Sequence, residues 1–181
     1  MGAKDDLLAA AMAYVTEHGV SDLSLRTLAT AIGTSHRMLI YHFGSREGLL
    51  VEIVKAVEQQ QRDRLAALLA EPGRSPQEQA ERFWEQLVDP ATWPQERLFF
   101  ELYGQALQGR PHAVPLLEGV VTEWLEPLTE LTVRSGVPRE KARAHARLRL
   151  AVARGLLLDL LATGDVEGVR AAGEAHLAAY E

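Results

Sequence analysis

A chain of 181 residues, 47% hydrophobic and 24% charged, has the balance of a globular protein and the length for a sizeable core. It contains no cysteine, which excludes disulfides and thiolate metal sites, and no apolar run near the roughly eighteen residues of a membrane span. The formal net charge of −6 means that any contact with nucleic-acid phosphate must be confined to one face. The opening Met1-Gly2-Ala3-Lys4-Asp5-Asp6 turns acidic at once, unlike a signal peptide, and a cytoplasmic protein is expected.

Almost every segment shows helical spacing bounded by Gly, Pro or a capping residue, so the fold class predicted is all-α. The first helix is predicted over about Asp5 to His18, with Leu8, Ala11, Met12 and Val15 on one face and Gly19 as its stop. A second follows Ser24, a favourable N-cap, and ends at Ile32 before Gly33. The third is short, from about Ser35 to His42. The fourth follows Ser45, and its pattern Leu49, Leu50, Ile53, Val54, Val57 continues towards Leu69. The run Glu71-Pro72-Gly73-Arg74-Ser75-Pro76 breaks the periodicity and reads as a linker. Further helices are predicted at 76–88, 95–108, 114–135, 138–163 and 166–180. The expected organisation is therefore an N-terminal three-helix domain at 1–48 and a larger helical bundle at 49–181, about nine helices in all, with a helix at about 46–70 connecting the two.

The stretch from Leu23 to Phe43 carries the chemistry. Two short helices joined by a Gly-containing turn form the helix-turn-helix unit that sets its second helix in the DNA major groove. Gly33 suits the turn, Ala29 lets the helices approach, and Leu25, Leu28, Ile32 and Leu39 are expected to close a core with Leu8, Met12 and Val15. Outward on the third helix stand Thr34, Ser35, His36, Arg37, Tyr41 and His42, polar groups suited to base edges and phosphates. Arg37 is the candidate for reading a guanine. Thr27, on the opening turn of the second helix, and Arg46, on that of the fourth, are candidates for phosphate. The first fifty residues carry Lys4, Arg26, Arg37 and Arg46 against Asp5, Asp6, Glu17, Asp22 and Glu47, so the electrostatic footprint is modest.

The segment from Leu8 to Leu50 resembles the TetR family of bacterial regulators. The resemblance rests on Ala10-Ala11, Glu17-His18-Gly19, Leu23-Ser24-Leu25-Arg26-Thr27-Leu28-Ala29, Ile32-Gly33-Thr34-Ser35 and, above all, Tyr41-His42-Phe43-Gly44-Ser45-Arg46-Glu47-Gly48-Leu49-Leu50. It implies that Ser35, His36 and Arg37 face bases while Tyr41, His42, Thr27 and Arg46 hold phosphates. It also implies a ligand-responsive repressor that binds a palindromic double-stranded operator as a homodimer. The family usually has Lys where Arg46 stands, and this chain lacks the basic tail that some members carry before the first helix.

A dimer needs a face. Residues 148–162 are almost wholly apolar, with Leu148, Ala151, Gly155 and Leu158 on one stripe and Leu150, Leu157 and Leu161 on another. The last helix adds Val166, Val169, Gly173, Leu177 and Tyr180, and the resemblance implies that these two helices pair with their symmetry mates. The residues closing the monomer core and those facing a partner are not separated by spacing alone. For an effector pocket, the aromatic residues Trp84, Phe83, Phe99, Phe100, Tyr103 and Trp124 are the candidates, with Pro127 inside one of the helices that carry them. Arg154 and Asp159 are charges embedded in an apolar helix and need partners, a ligand among them. No Gly-rich phosphate loop, Gly-x-Ser-x-Gly elbow or Glu-x-x-His pair occurs, so no enzyme activity, cofactor or metal is expected. The implied mechanism is an effector-driven population shift that changes the separation of two recognition helices from the one-turn spacing of about 34–36 Å that docking requires. The alternative is a helical small-molecule-binding or interaction protein whose DNA reader is non-functional, a reading the near-neutral N-terminal charge keeps open.

Overall fold

The computed structural model describes residues 2–19 and 23–178. The expected place of Tyr180 at the end of the last helix lies outside them. Among the described residues the chain is helical, with no strand, and it divides into two compact units that are each discontinuous in sequence. The first unit takes residues 1–58 and 94–118, and the second takes 59–93 and 119–181.

In the first unit, α1 spans Ala3–His18, α2 Leu25–Ala31 and α3 His36–Phe43. α4, Arg46–Ala70, contributes its first half here, and α6, Trp93–Leu107, belongs here from Pro94 on. Local chemistry sets each start. Asp5 and Asp6 lie in the first turn of α1, where the helix dipole favours negative charge, and the Asp5 carboxylate accepts the Gly2 amide at 2.9 Å. Ser24 caps α2 by accepting the Thr27 amide at 3.1 Å, and Ser35 caps α3 by accepting that of Met38 at 3.2 Å. Ser45 accepts the amide of Gly48 at 2.9 Å and opens α4 in the same way. The buried side chains include Ala11, Val15, Leu25, Leu28, Leu39, Phe43, Leu49, Leu50, Ile53 and Val54, joined by Leu98, Phe99, Leu102 and Ala106 of α6. Of the core expected from spacing, Leu25, Leu28, Leu39 and Val15 are fully covered, while Leu8, Met12 and Ile32 are half-buried. Gln95 of α6 donates to the Thr16 hydroxyl of α1 at 2.8 Å.

The second unit holds the rest of α4 with α5 (Pro76–Leu87), α7 (Thr122–Arg134), α8 (Arg139–Thr163) and α9 (Val166–Ala178). α8 packs on both α7 and α9, and α5 packs on α7 and α9. Leu65, Trp124, Leu128, Leu131, Ala146 and Leu150 form its core, flanked by Leu69, Ala80, Phe83 and Val121. The fully buried Gln79 donates to the Leu68 carbonyl at 2.8 Å, a second bond beside the one this carbonyl accepts from the Glu71 amide at the end of α4. Arg134 donates to the Leu69 carbonyl in the last turn of α4 at 2.7 Å.

One predicted helix is broken. In place of continuous helix over 114–135, a 3-10 turn at Val114–Leu117 is followed by α7 from Thr122. Gly119 lies between them at φ 77°, a left-handed conformation that glycine adopts without penalty, and the chain turns there before the helix begins. Pro127 sits inside α7, as the sequence indicates.

The junction of α3 and α4 leaves no room for a side chain at position 48, because a Cβ on Gly48 would lie 2.2 Å from the Phe43 carbonyl oxygen. Gly48→Ala is expected to destabilise the protein by about 1–3 kcal/mol, the usual cost of forcing backbone apart. Gly104→Ala in α6, where a Cβ meets nothing within 4 Å, serves as the control and should be neutral or stabilising. Denaturant midpoints of the two variants against the parent check this.

Candidate nucleic-acid interface

α2 and α3 are joined by a closed turn. The Gly33 amide donates to the Thr30 carbonyl at 3.4 Å and the Thr34 amide to that of Ala29 at 2.9 Å, with Gly33 at φ 71°. These are the paired bonds of a Schellman closure, which requires a left-handed residue between them. Ala29 is buried at this crossing, as its small size suggests.

α3 then presents one face outward. Leu39 and Phe43 point inward, with 0% and 7% exposure. At 3.6 residues per turn Tyr41 falls opposite them, and it is 78% exposed. Arg37 and Met38 lie one turn before it on the same side, and both are exposed, as are His36 and Ile40 at the margin. The exposed helix face thus gathers His36, Arg37 and Tyr41 as the sequence predicts. Thr27 is also exposed, its hydroxyl 2.8 Å from that of Ser24.

The remaining predicted contacts are tied into the protein in ways spacing does not show. Ser35 is exposed, but its hydroxyl is engaged in capping α3. Thr34 is half-buried in the turn. His42 is half-buried, its ring edge-on to Tyr41 with centroids 4.9 Å apart and its Nε2 enclosed without a hydrogen-bond partner among the described residues. Arg46 donates its Nε to the Leu23 carbonyl at 2.7 Å, fastening the start of α4 to the segment before α2. Lys4 pairs with Glu52 at 2.6 Å and lies 5.8 Å over the Phe43 ring. Sequence reasoning missed Met38 and Ile40, each 39% exposed on this helix. Their signal in the sequence is that both fall off the Leu39–Phe43 stripe.

The aromatic and dimer candidates divide between the units. Phe99, Phe100 and Tyr103 sit together on α6 in the first unit, with ring centroids 5.2 Å apart for Phe99–Phe100 and 5.4 Å for Phe99–Tyr103. Trp84, Trp124 and Arg154 belong to the second. There Phe83 meets Trp124 at 6.1 Å, and the Trp84 indole lies against α9 so closely that a Cβ on Gly173 would stand 2.8 Å from its Nε1. That indole N–H is buried with no acceptor among the described residues. Arg154 finds an acceptor within the chain, the Val120 carbonyl at 2.7 Å, while Asp159 is exposed. On α8, Leu148, Ala151, Gly155 and Leu158 are all exposed. On α9, Val169 is 2% exposed, covered within its own unit, and Leu177 is half-buried.

Taken together, a capped and closed helix pair presenting a polar and aromatic face defines the reader of a helix-turn-helix regulator. Residues 7–53 match the family model of bacterial regulatory proteins, tetR family. The match is confined to that segment, and the chain as a whole has the fold of TetR-type transcriptional regulators. Among solved structures, a transcriptional regulator from Rhodococcus sp. Rha1 aligns with a TM-score of 0.75 at 20% identity, covering 99% of this chain and 96% of that one. A Saccharomonospora viridis structure in complex with choline aligns with a TM-score of 0.71 at 20% identity, covering 96% and 94%. Thermus thermophilus FadR, a TetR family transcriptional repressor in complex with lauroyl-CoA, aligns with a TM-score of 0.68 at 18% identity, covering 96% and 92%. No curated protein matches the chain.

One titration has a clear sign. Burial, and secondarily the Arg149 guanidinium, hold the His176 imidazole of α9 below its ordinary value of 6.5. The unfolded chain binds the proton more tightly, so this histidine's contribution is complete above 6.5 and is lost as pH falls below it. The thermal midpoint should fall between about pH 7.5 and 5.5, and His176→Gln should flatten that fall.

Proposed function

We propose that the protein is a ligand-responsive transcriptional regulator, acting as a repressor, that binds a palindromic operator as a homodimer. The observation that carries the DNA reading is the outward face of α3, with Arg37 and Tyr41 exposed above the buried Leu39 and Phe43. Arg37 reads a guanine through two hydrogen bonds to its O6 and N7, flanked by His36 and Ser35. Thr27, Thr34, Tyr41, His42 and Arg46 supply backbone contacts. Because Lys4 is paired inside the domain and Arg46 divides its guanidinium between the Leu23 carbonyl and DNA, the phosphate footprint is small. In-vitro selection of duplex DNA at low salt is expected to enrich a palindrome. Arg37→Ala should weaken binding by roughly 1–3 kcal/mol and blur one symmetric position. The salt slope should be shallow, near −4 for about four neutralised phosphates per dimer. Failure to enrich any sequence overturns the operator reading and favours the interaction-protein alternative.

The dimer is built on the exposed stripe Leu148, Ala151, Gly155 and Leu158 of α8, with Leu177 of α9 at its side. Val169 supports that face from beneath, being covered by its own chain. Leu158→Glu places a charge in the seam and should convert the dimer to monomer in sedimentation at micromolar concentration, with the helical content unchanged. Persistence of the dimer would move the interface elsewhere.

An effector is the third part of the reading. The structural relatives in complex with choline and with lauroyl-CoA support a small organic ligand. Of the aromatic and charged residues the sequence singles out, Trp84, Trp124 and Arg154 of the second unit remain the candidates for contacting it. Release from DNA follows if the effector binds the DNA-incompetent form more tightly, whatever its absolute affinity.

A further inference from the structure

We propose that Met38 and Ile40 determine operator specificity by packing on the 5-methyl groups of thymines that flank the guanine read by Arg37. The inference rests on the operator reading above and deepens it. Among the described residues eight large hydrophobic side chains are exposed, and three of them, Met38, Ile40 and Tyr41, stand on this one eight-residue helix. Met38 and Ile40 each keep 39% of their surface exposed, and Tyr41 keeps 78%. An exposed apolar cluster on a short helix marks a surface that is covered when the protein works.

The pattern around them selects the occupant. A protein groove that takes an apolar helix face offers a continuous apolar lining. Here apolar and hydrogen-bonding side chains share one exposed face: His36, Arg37, Met38, Ile40, Tyr41. The DNA major groove has that mixed chemistry, with acceptors on guanine and a methyl group on thymine, and it is wide enough to admit a helix. Helical spacing puts Met38 on one flank of the Arg37–Tyr41 ridge and Ile40 on the other. A guanine bound by Arg37 therefore has an apolar side chain to each side of it. The small electrostatic footprint fits this arrangement, because discrimination by methyl contact needs no added phosphate contact.

The test removes the methyl groups alone. In the operator recovered by selection, each thymine beside the conserved guanine is replaced symmetrically by deoxyuridine, which pairs identically. Binding of the full-length parent, Met38→Ala and Ile40→Ala proteins is then measured. For the parent, loss of one methyl contact per half-site should weaken binding about fourfold per half-site, or about sixteenfold for the dimer. The matching alanine variant should bind the thymine and deoxyuridine duplexes within about twofold of each other. Both side chains lie at the surface, so the variants should remain folded at the binding temperature, which their thermal melts check. A palindrome in which deoxyuridine substitution leaves parent binding unchanged overturns this inference and leaves the operator reading standing. So does a methyl preference that survives both alanine variants. Absence of any selected palindrome overturns the operator reading and this inference with it.

Discussion

An eight-residue helix does not hold itself together in water, since its nucleation cost is barely recovered over two turns. The structure of the first unit turns on how α3 is nevertheless fixed. At its start the Ser35 hydroxyl takes an orphan amide, and the bonded turn through Gly33 sets the angle at which α3 leaves α2. At its end the Phe43 carbonyl lies so near Gly48 that only glycine fits. Between these clamps Leu39 and Phe43 anchor one side in the core, and the opposite side, around Arg37 and Tyr41, faces outward. A reading surface needs that division: rigid in position, unconstrained in which side chains it shows.

The same economy shapes the electrostatics. Of the four cations in the first fifty residues, Lys4 pairs with Glu52 and Arg46 is bound to the Leu23 carbonyl, whereas Arg26 and Arg37 are exposed. A domain with so little positive surface gains little from sequence-independent attraction to DNA. On the proposed reading, its preference for one site over others must come from direct contact, and the exposed face of α3 is where polar, aromatic and apolar groups are concentrated.

Helix positions were legible in the sequence because their stops and starts are written in single residues. Gly19, Ser24, Gly33, Ser35 and Ser45 each mark a boundary that the backbone observes within a residue or two. The break at Gly119 escaped because apolar spacing continues across it through Leu116, Val120 and Trp124, all of them buried. The membership of α6 in the first unit escaped for a different reason. Periodicity shows that Leu98, Leu102 and Ala106 form a stripe, but not which stripe elsewhere in the chain receives it. Side-chain commitments were least legible of all. That Arg46 would reach back 23 residues to a carbonyl, or that Arg154 would reach Val120, depends on tertiary proximity that no local pattern encodes.

α8 shows how burial separates what spacing leaves merged. Both of its apolar stripes look alike in sequence, yet Leu150 and Leu157 are covered by the chain itself, while Leu148 and Leu158 are 50% and 53% exposed. Gly155 lies on the exposed stripe, and a Cβ there would meet nothing within 4 Å. A glycine in mid-helix costs about 1 kcal/mol relative to alanine, and nothing inside the protomer requires it. A close helix crossing with a second copy would supply the requirement, because the absence of a Cβ lets two backbones approach. On that argument Gly155 marks the centre of the proposed seam, and the leucines either side of it mark its length.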